Sequence, residues 1–136
     1  MQTIGVIGAG QMGSGITQTI AQHGLKVFLS DRDLAIAEES LMGKLVGKGK
    51  IEVADAEATL ARITPTGDLE PMADADLIIE AATEKEAVKQ GIFEQAGKVL
   101  GEGAILASNT SSIPITRMAN WSPDPGRFIG LHFFHP

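Results

Sequence analysis

Short apolar runs alternate along the chain with longer stretches in which apolar residues recur every three or four positions. The runs at 4–7, 26–30, 77–79, 104–107 and 128–133 predict strands, and a weaker strand begins at Ile63. The longer pattern predicts helices over 12–23, 33–46, 84–100 and 114–119, with a further short one over 54–60. LIIEAA and AILA are almost continuously apolar. A half-exposed strand would alternate, so these fit strands covered on both faces. Strand and helix in turn build βαβ units, which feed a parallel sheet.

Composition narrows the partners. The 136 residues, 43% of them apolar, suffice for one domain with its own core, spanning 1–136. SPDPG at 122–126 reads as a turn rather than a linker. A formal charge of −6 and a pI near 4.9 provide no basic footprint, so neither nucleic acid nor a membrane surface is an expected partner. Cysteine is absent, which removes disulfides, thiolate nucleophiles and cysteine-ligated zinc together. The opening MQTIGVIGAG carries no cation before Lys26, and no apolar run reaches membrane-spanning length, so the expected location is cytoplasmic.

The first strand runs into Gly8-Ala9-Gly10-Gln11-Met12-Gly13 and then into a helix. A G-x-G-x-x-G alone is a weak signal, but here a strand precedes it, a helix follows it, and Asp31 ends the second strand roughly 20 residues on. Gly8 suits a tight turn, Gly10 lets backbone approach a pyrophosphate, and Gly13 lets helix and strand pack closely. Gln11 and Met12 fill the variable positions of the same cofactor loop. The expected fold is therefore a Rossmann-type, doubly wound α/β domain with a mostly parallel sheet and helices on both faces. A ligand-free βα turn is the plainer alternative. Asp31 would accept bonds from ribose hydroxyls and repel a 2′-phosphate, favouring NAD, although Arg32 beside it could cradle such a phosphate. Helix capping by Asp33 explains the same cluster without a ligand.

Nicotinamide chemistry needs a proton-handling group. No tyrosine exists for a Tyr-x-x-x-Lys arrangement, and Gly49-Lys50 is followed by Ile51, which excludes a phosphate-binding NTPase loop. His23 sits where a first helix ends, before Gly24. His132 and His135 lie at a strand exit, where open α/β sheets collect ligands. In an extended strand they face opposite sides, so one metal site for both is disfavoured. His132 is either a general base or a satisfied buried histidine. Ser108, Asn109, Thr110, Ser111 and Ser112 follow another strand and either hold substrate or cap the next helix. Lys85 and Glu86 read as a solvated first helical turn.

IGVIGAGQMGSGI, Asp31 at its strand end, LIIEAATE with Lys89 beyond, ILASNTSSIPIT and RFIGLHFFHP occur in that order over essentially the whole chain. In these stretches the sequence resembles the NAD-binding domain of L-3-hydroxyacyl-CoA dehydrogenases, including bacterial 3-hydroxybutyryl-CoA dehydrogenases. The resemblance implies NAD-dependent oxidation of (S)-3-hydroxyacyl-CoA to 3-oxoacyl-CoA. It implies that His132 is the general base, that Ser111 bonds the substrate oxygen, and that Asn109 shapes the nicotinamide pocket. Glu84 and Lys89 match residues on the nicotinamide-ribose side, and Asp31 matches the adenosine-ribose carboxylate. Lys44, Lys48 and Lys50 fall where relatives extend a helical arm towards CoA, and either meet its phosphates or form a solvated face. His135 stands where the usual motif has asparagine. Relatives continue into a glutamate that orients the histidine and into a helical domain for substrate and homodimer contacts, so the expectation is a cofactor-binding piece, inactive alone. Oxidation of a free hydroxy acid or a carnitine-like substrate is the alternative chemistry, and a non-catalytic NAD-binding module the alternative class.

Overall fold

The computed structural model describes residues 2–8, 11–31, 61–81, 85–101, 103–109, 114–122 and 125–130. The helices expected over 33–46 and 54–60 lie outside these. Six strands are present: β1 (Thr3–Ile7), β2 (Lys26–Ser30), β3 (Ile63–Thr66), β4 (Leu77–Glu80), β5 (Ile105–Ser108) and β6 (Phe128–Gly130). They form one sheet in the order β3-β2-β1-β4-β5-β6, and every neighbouring pair is parallel. The described helices are α1 (Gln11–Gln22), α2 (Glu86–Val99) and α3 (Ile115–Ala119).

Period-two alternation sorts the strand side chains between two cores. On one face Ile4, Val6, Val27, Leu29 and Ile79 pack with Ile16 and Ala21 of α1. On the other, Ile7, Ile78 and Leu106 pack with Phe93 and Ala96 of α2 and Met118 of α3. Both faces are therefore covered, which is why LIIE in β4 is buried at every position. Phe93 anchors the second core, its ring edge-on to Phe128 at 5.0 Å and stacked on Trp121 at 6.5 Å.

A 3₁₀ turn at Glu70–Asp74 was not among the expected elements. Its Met72 is fully buried and fills the space over Gly5, where an added Cβ would lie 2.6 Å from the sulfur. Asp76, two residues on, fastens the amino ends of the two central strands. The Asp76 carboxylate accepts the amides of Gln2 at 2.9 Å and Thr3 at 3.1 Å, while its own amide donates to the Thr3 carbonyl at 2.8 Å. The start of β4 is thereby sewn to the start of β1. Strand order runs outward in opposite directions from β1 and β4, so their carboxyl ends bound the crevice where such sheets bind ligands.

Candidate functional site

The chain leaves β1 at Gly8, whose φ of 108° is a backbone conformation that side chains rarely adopt. Its amide donates to the Ser30 carbonyl at 2.7 Å, which ties the turn to the end of β2. Three residues later α1 begins at Gln11, and Gly13 comes so close to the turn that a Cβ there would lie 1.8 Å from the Gly8 carbonyl oxygen. Only glycine permits this contact. No acidic residue stands in the first turn of α1, whose amides have no partner within the helix and carry the positive end of its dipole. That is the chemistry of an anion cradle.

Gly8 and Asp31 line one cavity of about 840 Å³ at the strand ends. Asp31 is half-buried, and its amide donates to the Thr66 carbonyl at 3.3 Å. Thr66 also turns the chain after β3: its hydroxyl donates to the Asp68 carbonyl at 3.1 Å and accepts the Asp68 amide at 3.3 Å. Asp68 and Glu70 thus join Asp31 in lining the cavity, as do Val88 and Ile92 of α2. The apolar part of the wall suits a ring, and the carboxylates suit hydroxyls and oppose a phosphate.

The other expected residues separate. Met12 is half-buried and packs against the first core. Lys89, which the resemblance set on the nicotinamide-ribose side, is fully buried and its ammonium donates to Glu80 Oε1. The Ser108 hydroxyl donates to the same oxygen at 2.8 Å. Ser108 is the last residue of β5, fully buried, rather than the first of a polar loop, because the Glu80 carboxylate satisfies its hydroxyl. Asn109 follows, half-buried, its amide donating to the Glu80 carbonyl at 2.9 Å. Lys85 and Glu86 are at the start of α2, as expected of a partly solvated turn, and Glu86 accepts from Arg117 at 2.8 Å. His23 lies just past α1 with Nδ1 on the Thr19 carbonyl at 2.7 Å. Gly10, Glu84, Ser111, His132, His135, Lys44, Lys48 and Lys50 lie outside the described residues, as does the Gln11 side chain.

Three features were not singled out from the sequence: the Val88 and Ile92 wall, the grouping of Glu80 with Lys89 and Ser108, and the Asp68 and Glu70 carboxylates. The second had a signal, since a carboxylate ending a strand covered on both faces requires a buried partner. Among the described residues no cluster of three or more metal-ligating side chains occurs, and no helix is long and apolar enough to cross a membrane.

Comparison with known proteins agrees with this geometry. The family model described as "3-hydroxyacyl-CoA dehydrogenase, NAD binding domain" matches residues 3–136. A probable 3-hydroxybutyryl-CoA dehydrogenase of Deinococcus radiodurans is 48% identical over 97% of this chain and 49% of its own length. A 3-hydroxyadipyl-CoA dehydrogenase of Escherichia coli is 42% identical over 100% of this chain and 30% of its own. The crystal structure of an (S)-3-hydroxybutyryl-CoA dehydrogenase from Ralstonia eutropha superposes with a TM-score of 0.91 at 39% identity, covering 98% of this chain and 50% of that one. The chain spans half or less of the length of these relatives.

Proposed function

Because this chain belongs to the 3-hydroxyacyl-CoA dehydrogenase NAD-binding-domain family, we propose that the protein carrying it oxidises (S)-3-hydroxyacyl-CoA to 3-oxoacyl-CoA, with these residues holding the cofactor. The observation that carries the reading is the contact of Gly13 with the Gly8 carbonyl, beside Asp31 on one cavity wall. The cradle fits NAD on this structure's own terms: there is no room for a Cβ, no acidic side chain in the first turn of α1, and a carboxylate placed for ribose hydroxyls.

NAD, when bound, supplies the acceptor for the hydride leaving C3 of the hydroxyacyl chain. The residues of this chain do the rest. Gly8, Gly10, Gln11, Met12 and Gly13, between the end of β1 and the first turn of α1, would hold the pyrophosphate, and Asp31 would accept bonds from the adenosine ribose hydroxyls. Asn109, Glu84 and Lys89 belong to the nicotinamide end. Ser111 donates to the 3-oxygen, and His132 takes the hydroxyl proton on its imidazole as the carbonyl forms. Lys48 and Lys50 meet CoA phosphates. These roles rest on the match of ASNTSS and GLHFF to the family pattern and on the location of Asn109 at the exit of β5. The reaction belongs to the cytoplasm, and the parent protein forms a homodimer through residues beyond this domain.

Loss of NADH absorbance with acetoacetyl-CoA tests the reading on the complete protein. Replacing His132 by Gln is expected to lower turnover about a thousandfold while leaving NADH affinity within about twofold. Turnover retained in that variant would remove His132 from the role of base, and use of a free hydroxy acid in place of any CoA thioester would remove the substrate class.

A further inference from the structure

Glu80, Lys89 and Ser108 are all fully buried at the carboxyl ends of the central strands. In register, Glu80 lies between Ile7 of β1 and Ser108 of β5. Its carboxylate oxygen Oε1 takes both the Lys89 ammonium and the Ser108 hydroxyl, and its main-chain carbonyl takes the Asn109 amide. The Ala81 amide, next along, donates to the Ile7 carbonyl at 2.8 Å. Glu80 therefore links the exits of β4 and β5 and, through Lys89, the first turns of α2, while its neighbour Ala81 ties β4 to β1.

Packing does not require charge at this position. A buried ion pair stabilises no better than apolar side chains of the same volume, because desolvation offsets the attraction. Direction is what the ion pair adds. Two donors converging on one oxygen hold β5 and α2 at set angles to β4, whereas an apolar contact permits sliding. The chain leaving β5 at Ser108 continues directly into Asn109.

We infer that Glu80 is a positioning residue, which grips Ser108 and Lys89 and so sets where Asn109 and the exit of β5 stand relative to the cofactor cradle on β1. This rests on the dehydrogenase reading above. Glu80 acts through Ser108 and Lys89 and touches no reacting atom. The pyrophosphate cradle lies at the end of β1 and the start of α1, and Asp31 just past β2, so most of the cofactor affinity does not pass through the grip on β5, which bears on the nicotinamide end.

Ser108→Ala isolates this role, since it leaves the Glu80–Lys89 pair in place and removes only the grip on β5. In the complete protein the expected result is a kcat lowered about tenfold with acetoacetyl-CoA, NADH affinity within about twofold of the parent, and recovery of kcat in Ser108→Thr. Glu80→Gln is expected to lower kcat at least as far. Thermal melts accompany each variant. Variants that melt earlier but keep kcat within about twofold, or that lose kcat and NADH affinity equally, overturn the inference and leave the cluster a structural tie. If the parent itself does not turn over acetoacetyl-CoA, the functional reading fails separately. Emission of bound NADH then decides the positioning role: a shift towards free cofactor in Ser108→Ala at unchanged affinity supports it, and unchanged emission overturns it.

Discussion

The two sides of the crevice are built by opposite means. On the β1 side the floor is bare backbone: Gly8 turns with a positive φ, and Gly13 touches its carbonyl with no room for a side chain. On the β4 and β5 side the floor is three buried polar side chains that satisfy one another. The first sets the amino end of α1 at the strand exit and suits an anion that arrives from solution. The second turns its polar groups inward, which suits holding neighbouring segments in place. One floor admits no added atom, and the other tolerates no missing one.

The sharpest break in that comparison is Gly13→Ala. A Cβ lying 1.8 Å from a backbone oxygen cannot be relieved by a rotamer change, so α1 must move away from β1. The expected outcome is loss of NADH binding by about a hundredfold or more and a stability loss of about 3 kcal/mol, read by NADH titration and denaturant unfolding. NADH binding retained within tenfold would show that the close approach is not what forms the cradle.

The other floor responds differently, because it breaks by subtraction. Lys89→Met leaves the Glu80 carboxylate buried without its cation and is expected to cost about 3–5 kcal/mol. Removing both charges in Glu80→Met with Lys89→Met is expected to recover most of that loss, since apolar side chains of similar volume then fill the site. A double variant as unstable as Lys89→Met would mean that the ion pair, and not the volume, holds this side of the core. No second substitution is expected to rescue Gly13→Ala, and that asymmetry is the comparison in its testable form.

The same contrast decides what could be read in the sequence. The glycine turn is a local requirement: strand, turn and helix are consecutive, and the Asp31 strand end follows after one helix, so the pattern is visible in order. Strands β1 to β5 and helices α1, α2 and α3 emerge within one or two residues of the expected bounds, and β6 starts at the expected Phe128, because apolar runs and helical periodicity are local too. The Glu80 cluster is not local. Its members come from β4, α2 and β5, and Ser108 reads as a loop residue until a carboxylate 28 positions away accepts its hydroxyl. The 3₁₀ turn at Glu70–Asp74 stays hidden for a similar reason, since EPMAD has no helical period and its purpose, Met72 over Gly5, is a contact across the fold. Lys89 illustrates both cases: its position in the chain matched a cofactor-side residue, while its ammonium points to Glu80.

The smallest expected effect comes from the amino ends of the same central strands, where a carboxylate joins β1 to β4 without being buried. The amides of Gln2 and then Thr3 donate to Asp76, and they hold its carboxyl below its ordinary value. A group whose value is lowered by folding binds protons more weakly in the folded state. Its contribution is therefore complete above the ordinary carboxylate range and disappears as pH falls through the lowered folded value. Asp76→Asn removes the charge but keeps an oxygen that can accept from the same amides. Melting temperatures of parent and variant should accordingly differ near neutral pH and converge in acid, with the parent the more stable where they differ. Parallel curves from neutral pH into acid would mean that the amide bonds alone, without the charge, join β1 to β4. In that event this end of the sheet would resemble the glycine turn, held by backbone geometry, more than the ionic cluster at the other end of β4.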